Sequence, residues 1–213
     1  MARSLLTLFA ITDEQAMWRV QMEDDAQAFA QLVSRWESPI QRLCTRMLGD
    51  PHRAEDMAQE AFARVFAKRK EYQPNGRFST FLWRVALNLC YDELRRLKRR
   101  QETSLDVETS EVLAGLECAS AADLSPDEQL LEAEQGRLVR QALQQLPELY
   151  RTVIVLRHYE NLKFREIAEV LEIPEGTVKS RMAEGLTQLQ NLLRRVMDEP
   201  AKQSKPNKEC LMI

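Results

Sequence analysis

Apolar residues recur along most of this chain at the three- and four-residue spacing of amphipathic helices. The first clear run follows Asp25, whose side chain suits an N-cap, and comprises Phe29, Leu32, Val33, Trp36, Ile40, Leu43, Met47 and Leu48. Ser38-Pro39 is expected to kink or restart this helix. There is no convincing alternating pattern, and tertiary packing is expected to hold the β-branched run 152–156 in a helix. The pattern predicts an all-α fold.

A second helix is predicted from Pro51 to about Lys70, because Gly49 ends the first one and Asp50-Pro51 supplies an N-cap and a proline at the first helical position. Its inward positions are Ala54, Met57, Ala58, Ala61, Phe62, Val65 and Phe66. Its acidic and polar stripe is Glu55, Asp56, Gln59 and Glu60. On residue type alone this stripe is a solvated face that also complements the helix dipole.

A third helix is predicted over Phe81–Arg100, after a loop marked by Pro74 and Asn75-Gly76 and a cap at Ser79 or Thr80. Its apolar side is Leu82, Val85, Ala86, Leu89 and Leu97. Its opposite side is Arg84, Asn88, Tyr91, Arg95, Lys98 and Arg99. Cations beside planar groups suit single-stranded DNA. Two alternatives stay open: Trp83 is a core residue, and the basic end of the helix serves only its dipole.

Residues 101–125 are acidic and lack periodicity, which indicates a linker. Ser125-Pro126-Asp-Glu128 is a strong helix start, and apolar residues carry that helix to Pro147. The predicted organisation is two small helical domains, at 25–100 and 126–197. A 1–24 extension precedes them, and a disordered 198–213 tail follows.

The second domain ends in two helices separated by a break at Ile173-Pro174, and the last of them extends to about Met197. The small Ala168 lets one helix cross closely over the other, as in a helix-turn-helix. Hydroxyls and cations that suit phosphates and base edges follow the break at Thr177, Lys179, Ser180 and Arg181. An ordinary helical hairpin within a bundle is the alternative.

Charge is segregated along the chain although its net value is only −3. Residues 64–100 hold eleven basic and three acidic residues, whereas residues 101–136 hold ten acids and no Lys or Arg. This asymmetry indicates a local nucleic-acid footprint. The scattered Cys44, Cys90, Cys118 and Cys210 signal neither a zinc site nor a disulfide framework. With no spanning apolar run or signal peptide, we expect a cytoplasmic protein without cofactors or membrane insertion.

Taken together, the two halves resemble the extracytoplasmic-function (ECF) group of bacterial RNA polymerase sigma factors, which keep sigma regions 2 and 4. In the first half the resemblance rests on Ala54-Glu-Asp-Met-Ala-Gln-Glu-Ala-Phe62 and Phe78-Ser-Thr-Phe-Leu-Trp-Arg-Val-Ala-Leu-Asn-Leu-Cys-Tyr-Asp-Glu-Leu-Arg-Arg96. In the second half it rests on Leu146-Pro147, Glu166-Ile-Ala168 and Gly176-Thr-Val-Lys-Ser-Arg181. The order and spacing of these motifs across both domains make the resemblance specific.

The resemblance implies a sigma factor that binds core RNA polymerase, reads the −10 and −35 promoter elements and promotes DNA melting. Its implied partners are the polymerase, promoter DNA and an anti-sigma factor. It implies no enzymatic step and no small-molecule substrate, because the polymerase holds the catalytic metals. The implied polymerase contacts are Glu55, Asp56, Gln59 and Glu60. The implied −10 contacts are Arg77, Trp83, Arg84, Asn88, Asp92, Arg95, Arg96 and Arg99, with Lys98 and Arg100 near phosphates. The implied −35 contacts are Lys163, Thr177, Lys179, Ser180 and Arg181.

The chain departs from the family pattern at two places. Glu184-Gly-Leu186 stands where the family usually continues with Arg-Ala-Arg, and Glu172 stands where a turn glycine is common. The first departure loses two cations and places an acid near the DNA, which favours a weaker or altered −35 contact. The alternatives are a sigma-like decoy that sequesters an anti-sigma protein and a plain helix-turn-helix repressor, which does not need the first domain.

Overall fold

The computed structural model describes residues 11–73, 76–103 and 126–198, and all regular structure within those ranges is helical. The helices are α1 (Asp13–Glu23), α2 (Ala26–Leu48), α3 (Pro51–Ala67), α4 (Phe78–Thr103), α5 (Pro126–Gln145), α6 (Glu148–Ile154), α7 (Phe164–Leu171) and α8 (Glu175–Asp198). A 3-10 turn (Arg69–Glu71) follows α3, and a π-turn (Val155–Tyr159) extends α6. The all-α prediction is confirmed. We call α1–α4 the N-terminal bundle and α5–α8 the C-terminal bundle.

Side chains predicted from sequence cap α2 and α3. The Asp25 carboxylate accepts hydrogen bonds from the N–H groups of Gln27 and Ala28, at 2.9 and 3.0 Å. Asp50 caps α3 in the same way, with Pro51 at the first helical position. Gly49 ends α2 with φ of +77°, a conformation that glycine adopts without strain. These predictions are confirmed, but α2 does not restart at Pro39 and is one helix from Ala26 to Leu48.

The start of α4 was predicted wrongly. The helix begins at Phe78, which places Ser79 and Thr80 inside its first turn instead of at a cap. The cap comes from another helix, because the Phe78 N–H donates to the Glu14 carboxylate of α1 at 3.3 Å. Helix periodicity along α4 could not reveal a cap supplied from a residue 64 positions away.

Helix α1 lies within the predicted 1–24 extension and packs on the other helices of the N-terminal bundle. Ala16, Met17 and Val20 are fully buried in the core. Asp13 accepts a hydrogen bond from the Trp36 indole N–H at 2.9 Å, and Trp36 in turn meets Trp83 edge-on at 5.6 Å between ring centroids. The described part of the extension is therefore a structural helix of this bundle.

The C-terminal bundle depends on a close crossing of α6 and α8 at Gly185. A Cβ atom at this position would lie 3.1 Å from Tyr150 Cβ and 3.1 Å from Ile154 Cδ1, which is tighter than most side-chain contacts and would require these neighbours to shift. The glycine in the unusual Glu184-Gly-Leu186 segment is therefore explained by packing. Val178 and Met182 are also buried in this core, together with Ile167 and Val170 of α7.

Predictions for the linker at 104–125, including the Ser125 cap, for the tail at 199–213 and for residues 1–10 lie outside the described residues. Where the structure describes them, the two bundles pack against each other. Helix α4 lies on α7, and α2 lies on α5, α6 and the π-turn. Buried side chains from both bundles join in one apolar cluster.

Candidate polymerase and promoter DNA interfaces

The acidic stripe on α3 is exposed along its whole length. Glu55, Asp56, Gln59 and Glu60 all face solvent, opposite the buried Ala54, Ala58 and Ala61. Glu60 forms an ion pair with Arg64 one turn later, at 2.8 Å. The stripe is a continuous anionic surface that a partner can approach without any rearrangement of the bundle.

A second polar surface lies on the middle of α4. Asn88, Asp92 and Arg95 are exposed on successive turns, with Arg95 and Asp92 paired at 3.2 Å. More than 60% of each of these two charged side chains is accessible to solvent. An amide, a carboxylate and a guanidinium on one helix face can together make the hydrogen bonds that base edges and phosphates require.

The cationic end of α4 is anchored by an acid that the sequence analysis did not single out. Glu93 is only 6% exposed and pairs with Arg96 at 2.9 Å and with Arg53 of α3 at 2.8 Å. Because Glu93 precedes Arg96 by three residues on a predicted helix, the sequence alone indicated that these two side chains could pair. Arg99 is exposed, as are Lys98 and Arg100.

Two aromatic residues of α4, Trp83 and Tyr91, do not lie on its exposed polar face. Trp83 is only 3% exposed and packs edge-on against Trp36. This burial agrees with the alternative in which Trp83 is a core residue. Tyr91 is half-buried, and its hydroxyl lies 2.8 Å from the Thr152 hydroxyl of α6. Burial raises the pKa of Tyr91, and the hydrogen bond with Thr152 is the largest effect that opposes this rise.

Two of the residues with implied −10 roles contact the C-terminal bundle. Arg77 forms an ion pair with Glu166 of α7. Arg84 donates to the backbone carbonyl of Glu169 at 2.8 Å and to that of Val170 at 3.4 Å. It also pairs with the Glu172 carboxylate at 2.7 Å. Arg84 thus satisfies carbonyls at the C-terminus of α7, where a cation is favourable.

Helices α7 and α8 are joined by a tight turn, as predicted for the helix-turn-helix. Glu172 ends α7 with φ of +55°, and the next N–H, that of Ile173, bonds the Ala168 carbonyl at 3.2 Å. A non-glycine residue in this conformation is strained by about 1 kcal/mol or more. The pairing of Glu172 with Arg84 is a contact that glycine could not make.

The implied −35 residues lie on the outer side of this unit. Lys179 and Ser180 are exposed, whereas Thr177 and Arg181 are half-buried. Lys179 pairs with Glu175 at 2.7 Å, and the Ser180 hydroxyl donates to the Gly176 carbonyl at 2.7 Å.

Lys163 is exposed at the start of α7, and its backbone N–H donates to Glu166 at 2.8 Å. That hydrogen bond, aided by Arg77, lowers the pKa of Glu166 despite some desolvation. Glu166 therefore links the start of α7 to the N-terminal bundle.

A polar cluster that the sequence did not reveal lies between the bundles. Arg151 is 5% exposed and donates to the Met47 carbonyl at the end of α2. It also bonds the carbonyls of Gln144 and Leu146 and the Gln144 side chain. Gln144 donates to the Arg46 carbonyl at 2.7 Å.

Beside it, Arg46 pairs with Glu160 at 3.2 Å and stacks 4.2 Å from the centre of the Tyr159 ring. Only 6% of the Glu160 side chain is exposed, and burial raises its pKa, with Arg46 and Arg42 opposing. No periodic pattern signals the contacts between the bundles, because Arg46–Gln144, Met47–Arg151 and Arg46–Glu160 each join residues roughly a hundred positions apart.

Among the helices that the structure describes, none combines the length and the apolar character needed to cross a membrane. Of the four cysteines, Cys44 and Cys90 fall within the described residues, and both are buried free thiols.

These surfaces define a helical two-bundle protein that presents a helix-turn-helix and separate acidic and cationic helix faces. Two sequence families match it in order: residues 32–100 match Sigma-70 region 2, and residues 136–189 match Sigma-70 region 4. The N-terminal bundle thus contains region 2, and the C-terminal bundle contains region 4.

Curated relatives match most of the chain. It is 39% identical over 170 residues to the ECF RNA polymerase sigma factor SigW of Bacillus subtilis, which covers 80% of this chain and 91% of that protein. It is 30% identical over 191 residues to the ECF RNA polymerase sigma-E factor of Haemophilus influenzae, with 88% and 98% covered. The chain belongs to the ECF group of RNA polymerase sigma factors, which are non-catalytic, and it directs promoter recognition and transcription initiation.

Solved structures show the same fold. The sigma factor RpoE of Bartonella quintana, solved with the anti-sigma factor NepR, has a TM-score of 0.64 at 20% identity and covers 79% of this chain and 98% of its own. CnrH, solved with the cytosolic domain of CnrY, has a TM-score of 0.61 at 22% identity, with 86% and 97% covered.

Proposed function

We propose that three exposed surfaces divide the work of initiation, and that the acidic stripe of α3 docks on core RNA polymerase. The observation that carries this assignment is the exposure of four polar residues, three of them acidic, on one face of α3: Glu55, Asp56, Gln59 and Glu60. An anionic helix face is suited to a basic partner surface, and such complementarity speeds and orients docking.

The exposed face of α4 holds the melted −10 element. Asn88, Asp92 and Arg95 read or hold unstacked bases, while Arg96 and Arg99 hold the backbone. Each specific base contact contributes about 1–3 kcal/mol of discrimination, and phosphate contacts add a salt-dependent term. Capture of unstacked bases offsets the few kcal/mol that unstacking costs. The burial of Trp83 supports a different role for this residue, because it positions α4 from the core instead of stacking on a base.

The outer side of the helix-turn-helix reads the −35 element. Lys179 and Ser180 are exposed at the start of α8, flanked by Thr177 and Arg181, and Lys163 stands at the start of α7. Glu184 is exposed one turn further along α8. Its negative charge weakens phosphate contact there, so this half of the promoter contributes less affinity than the −10 half.

An anti-sigma factor is the regulatory partner that we propose. One of the similar structures, RpoE of Bartonella quintana, is a sigma factor solved in complex with an anti-sigma factor. The site of action is the cytoplasm, where the polymerase and the chromosome are found.

The decisive experiment has two stages. Transcript starts mapped after overproduction identify a promoter, and run-off transcription on that promoter then uses purified core polymerase and the full chain. We expect a transcript only when both proteins are present. Its absence on every mapped promoter would refute the proposal.

Variants separate the proposed surfaces. Asp56→Arg is expected to abolish the transcript on any template, because the polymerase no longer binds. Arg95→Ala is expected to fail on duplex DNA and to recover partly on a template whose −10 segment is already unpaired. Arg194→Ala, which removes an exposed arginine near the end of α8, is the control and should transcribe normally. Equal rescue of Asp56→Arg by the unpaired template would contradict the division of roles.

A further inference from the structure

The buried carboxylate of Glu93 bonds two guanidinium groups at the cationic end of α4. Glu93 is only 6% exposed. Its Oε1 atom accepts hydrogen bonds from Arg53 Nη1 at 2.8 Å and from Arg96 Nη2 at 3.1 Å, and its Oε2 atom pairs with Arg96 Nε at 2.9 Å. Both carboxylate oxygens therefore hold one edge of the Arg96 guanidinium, which is the bidentate geometry that orients this group best.

Contacts on α3 fix Glu93 from the other side. Arg53 donates from Nε to the Oδ2 atom of Asp50 at 3.0 Å. The Oδ1 atom of Asp50 accepts the backbone N–H groups of His52 and Arg53, at 2.9 and 3.2 Å, as the N-cap of α3. The position of the Glu93 carboxylate is therefore set by the first turn of α3 as well as by α4.

The neighbouring ion pair on α4 lacks this support. Arg95 pairs with Asp92 through Nη1 alone, at 3.2 Å, and both side chains are largely exposed. An exposed pair of this kind contributes little energy and rearranges readily. Arg96 is also accessible, with 54% of its side chain exposed, but its partner is buried and holds it at two atoms. Arg96 thus remains open to a ligand while the plane of its guanidinium is fixed.

The pairing with Glu93 leaves Arg96 able to bind a second anion. A guanidinium carries N–H donors on Nε, Nη1 and Nη2, and Glu93 engages only Nε and Nη2. Phosphate oxygens are acceptors of the same kind as carboxylate oxygens. A side chain that is already held in its bound conformation loses less entropy when the phosphate binds.

Resting on the proposed function, we infer that Glu93 is a positioning residue for the −10 contact of α4. It does not touch DNA, and it holds the Arg96 guanidinium where a backbone phosphate of the promoter binds. Phosphate contacts fix the register of a protein on its strand, so Arg96 in turn sets where Asn88 and Arg95 meet the bases. This role opposes the direct electrostatic effect of Glu93, because a carboxylate near a phosphate repels it.

Glu93→Gln separates these two effects, because it removes the charge and keeps the size of the side chain. The holoenzyme is assembled from core polymerase and the full chain, and fluorescence anisotropy measures its affinity for a labelled promoter fragment whose −10 segment is unpaired. We expect Glu93→Gln to weaken binding about two- to tenfold, the effect of having to order one long side chain on binding. Electrostatic repulsion alone predicts tighter binding, so an unchanged or increased affinity would overturn the inference. Glu37→Gln, the same change of charge at an exposed position of α2, is the control and should bind as the wild type does.

A double-mutant cycle shows whether Glu93 acts through Arg96. Arg96→Ala should weaken promoter binding by itself, and the addition of Glu93→Gln to it should cause no further loss. A further loss as large as that of Glu93→Gln alone would overturn the inference, since Glu93 would then support the fold in general. Binding to core polymerase should be equal for the wild type and Glu93→Gln, and a parallel loss there would count against positioning in the same way.

Nuclear magnetic resonance of the arginine Nε–H groups in the free full chain gives a reading that does not depend on DNA. The Arg96 signal is identified by its absence from Arg96→Ala. We expect this proton to exchange with solvent about tenfold faster in Glu93→Gln than in the wild type, because a charge-assisted hydrogen bond is lost. Equal exchange rates in the two proteins would show that Glu93 does not restrain Arg96 and would overturn the inference.

The combined readings distinguish failure of this inference from failure of the proposed function. A wild-type holoenzyme that binds no promoter fragment, with the difference in exchange still present, overturns both and leaves Glu93–Arg96 as a structural ion pair. A wild type that binds while Glu93→Gln loses no affinity overturns the positioning role alone. If Glu93→Gln does not fold, Glu93→Asp takes its place, because it keeps the charge but shortens the reach of the carboxylate. Its loss of affinity must likewise vanish in the Arg96→Ala background, and a loss that persists there would overturn the inference.

Discussion

Replacing Arg151 by methionine would test whether one buried guanidinium holds the ends of α2 and α5 in place against α6. The side chain is 5% exposed, and it bonds carbonyls at the end of α2 and of α5 as well as the Gln144 amide oxygen. Methionine keeps most of the aliphatic volume but supplies no donor. The variant therefore leaves the Met47, Gln144 and Leu146 carbonyls without this partner in a place that water does not reach freely.

The expected loss of stability follows from two opposing terms. Hydrogen bonds to a charged group contribute about 1.5–3 kcal/mol each, and Arg151 makes four. Burial of the guanidinium offsets much of this gain, and it also lowers the pKa of Arg151. Removing the guanidinium leaves neutral buried oxygens without a donor, at about 1–3 kcal/mol each, while the cost of burying the charge is recovered, so a net loss of about 3–5 kcal/mol is expected. For a chain of this length, that corresponds to a fall of about 6–20 °C in the unfolding midpoint.

Thermal and urea unfolding, followed by circular dichroism, measure this loss. Arg194→Met is the matched control, because Arg194 is exposed on α8 and its replacement should change stability by no more than about 0.5 kcal/mol. A loss below about 1 kcal/mol for Arg151→Met would refute the argument, since it would mean that the carbonyls find other partners.

Three further predictions concern separate surfaces. Asp56→Arg should weaken binding to immobilised core polymerase at least tenfold, whereas Glu37→Arg, an equal change of charge on α2, should bind as the wild type does; equal binding by both would contradict the docking assignment. Gly185→Val should lower stability by about 1–3 kcal/mol through overpacking, compared with Ala183→Val on the exposed side of α8, and chemical unfolding measures the difference. Burial raises the pKa of Glu160 above its ordinary value of 4.5, so the folded chain holds that proton more tightly than the unfolded chain does. The wild type should therefore lose stability relative to Glu160→Gln as pH rises through the window just above 4.5, and parallel titration curves for the two proteins would contradict this.

Local signals in the sequence predicted the helices and several of their ends. Asp25 and Asp50 cap helices because a short carboxylate before a helix reaches the free N–H groups of its own first turn. Gly49 ends α2 because glycine, which has no Cβ atom, adopts the positive φ of a helix C-cap without strain. Both effects act between residues that are close in the sequence, so the sequence alone predicts them.

What the pattern could not predict depends on groups that are distant along the chain. Glu14 caps α4 from another helix, which is why the expected caps at Ser79 and Thr80 were wrong. The polar side of α4 was recognised from its periodicity, but periodicity cannot show that Trp83 faces Trp36 or that Arg84 caps α7. The packing of the two bundles was missed for the same reason.

Helix α1 has a practical consequence for how this protein can be divided. The region 2 match begins at residue 32, yet Met17 and Val20 lie in the core and Glu14 caps α4. A fragment cut to 32–100 would expose apolar surface on its remaining helices and lose the partner of the Phe78 N–H. Such a fragment should precipitate or form dimers on purification, whereas one that starts at Ile11 keeps α1 and its Thr12 cap.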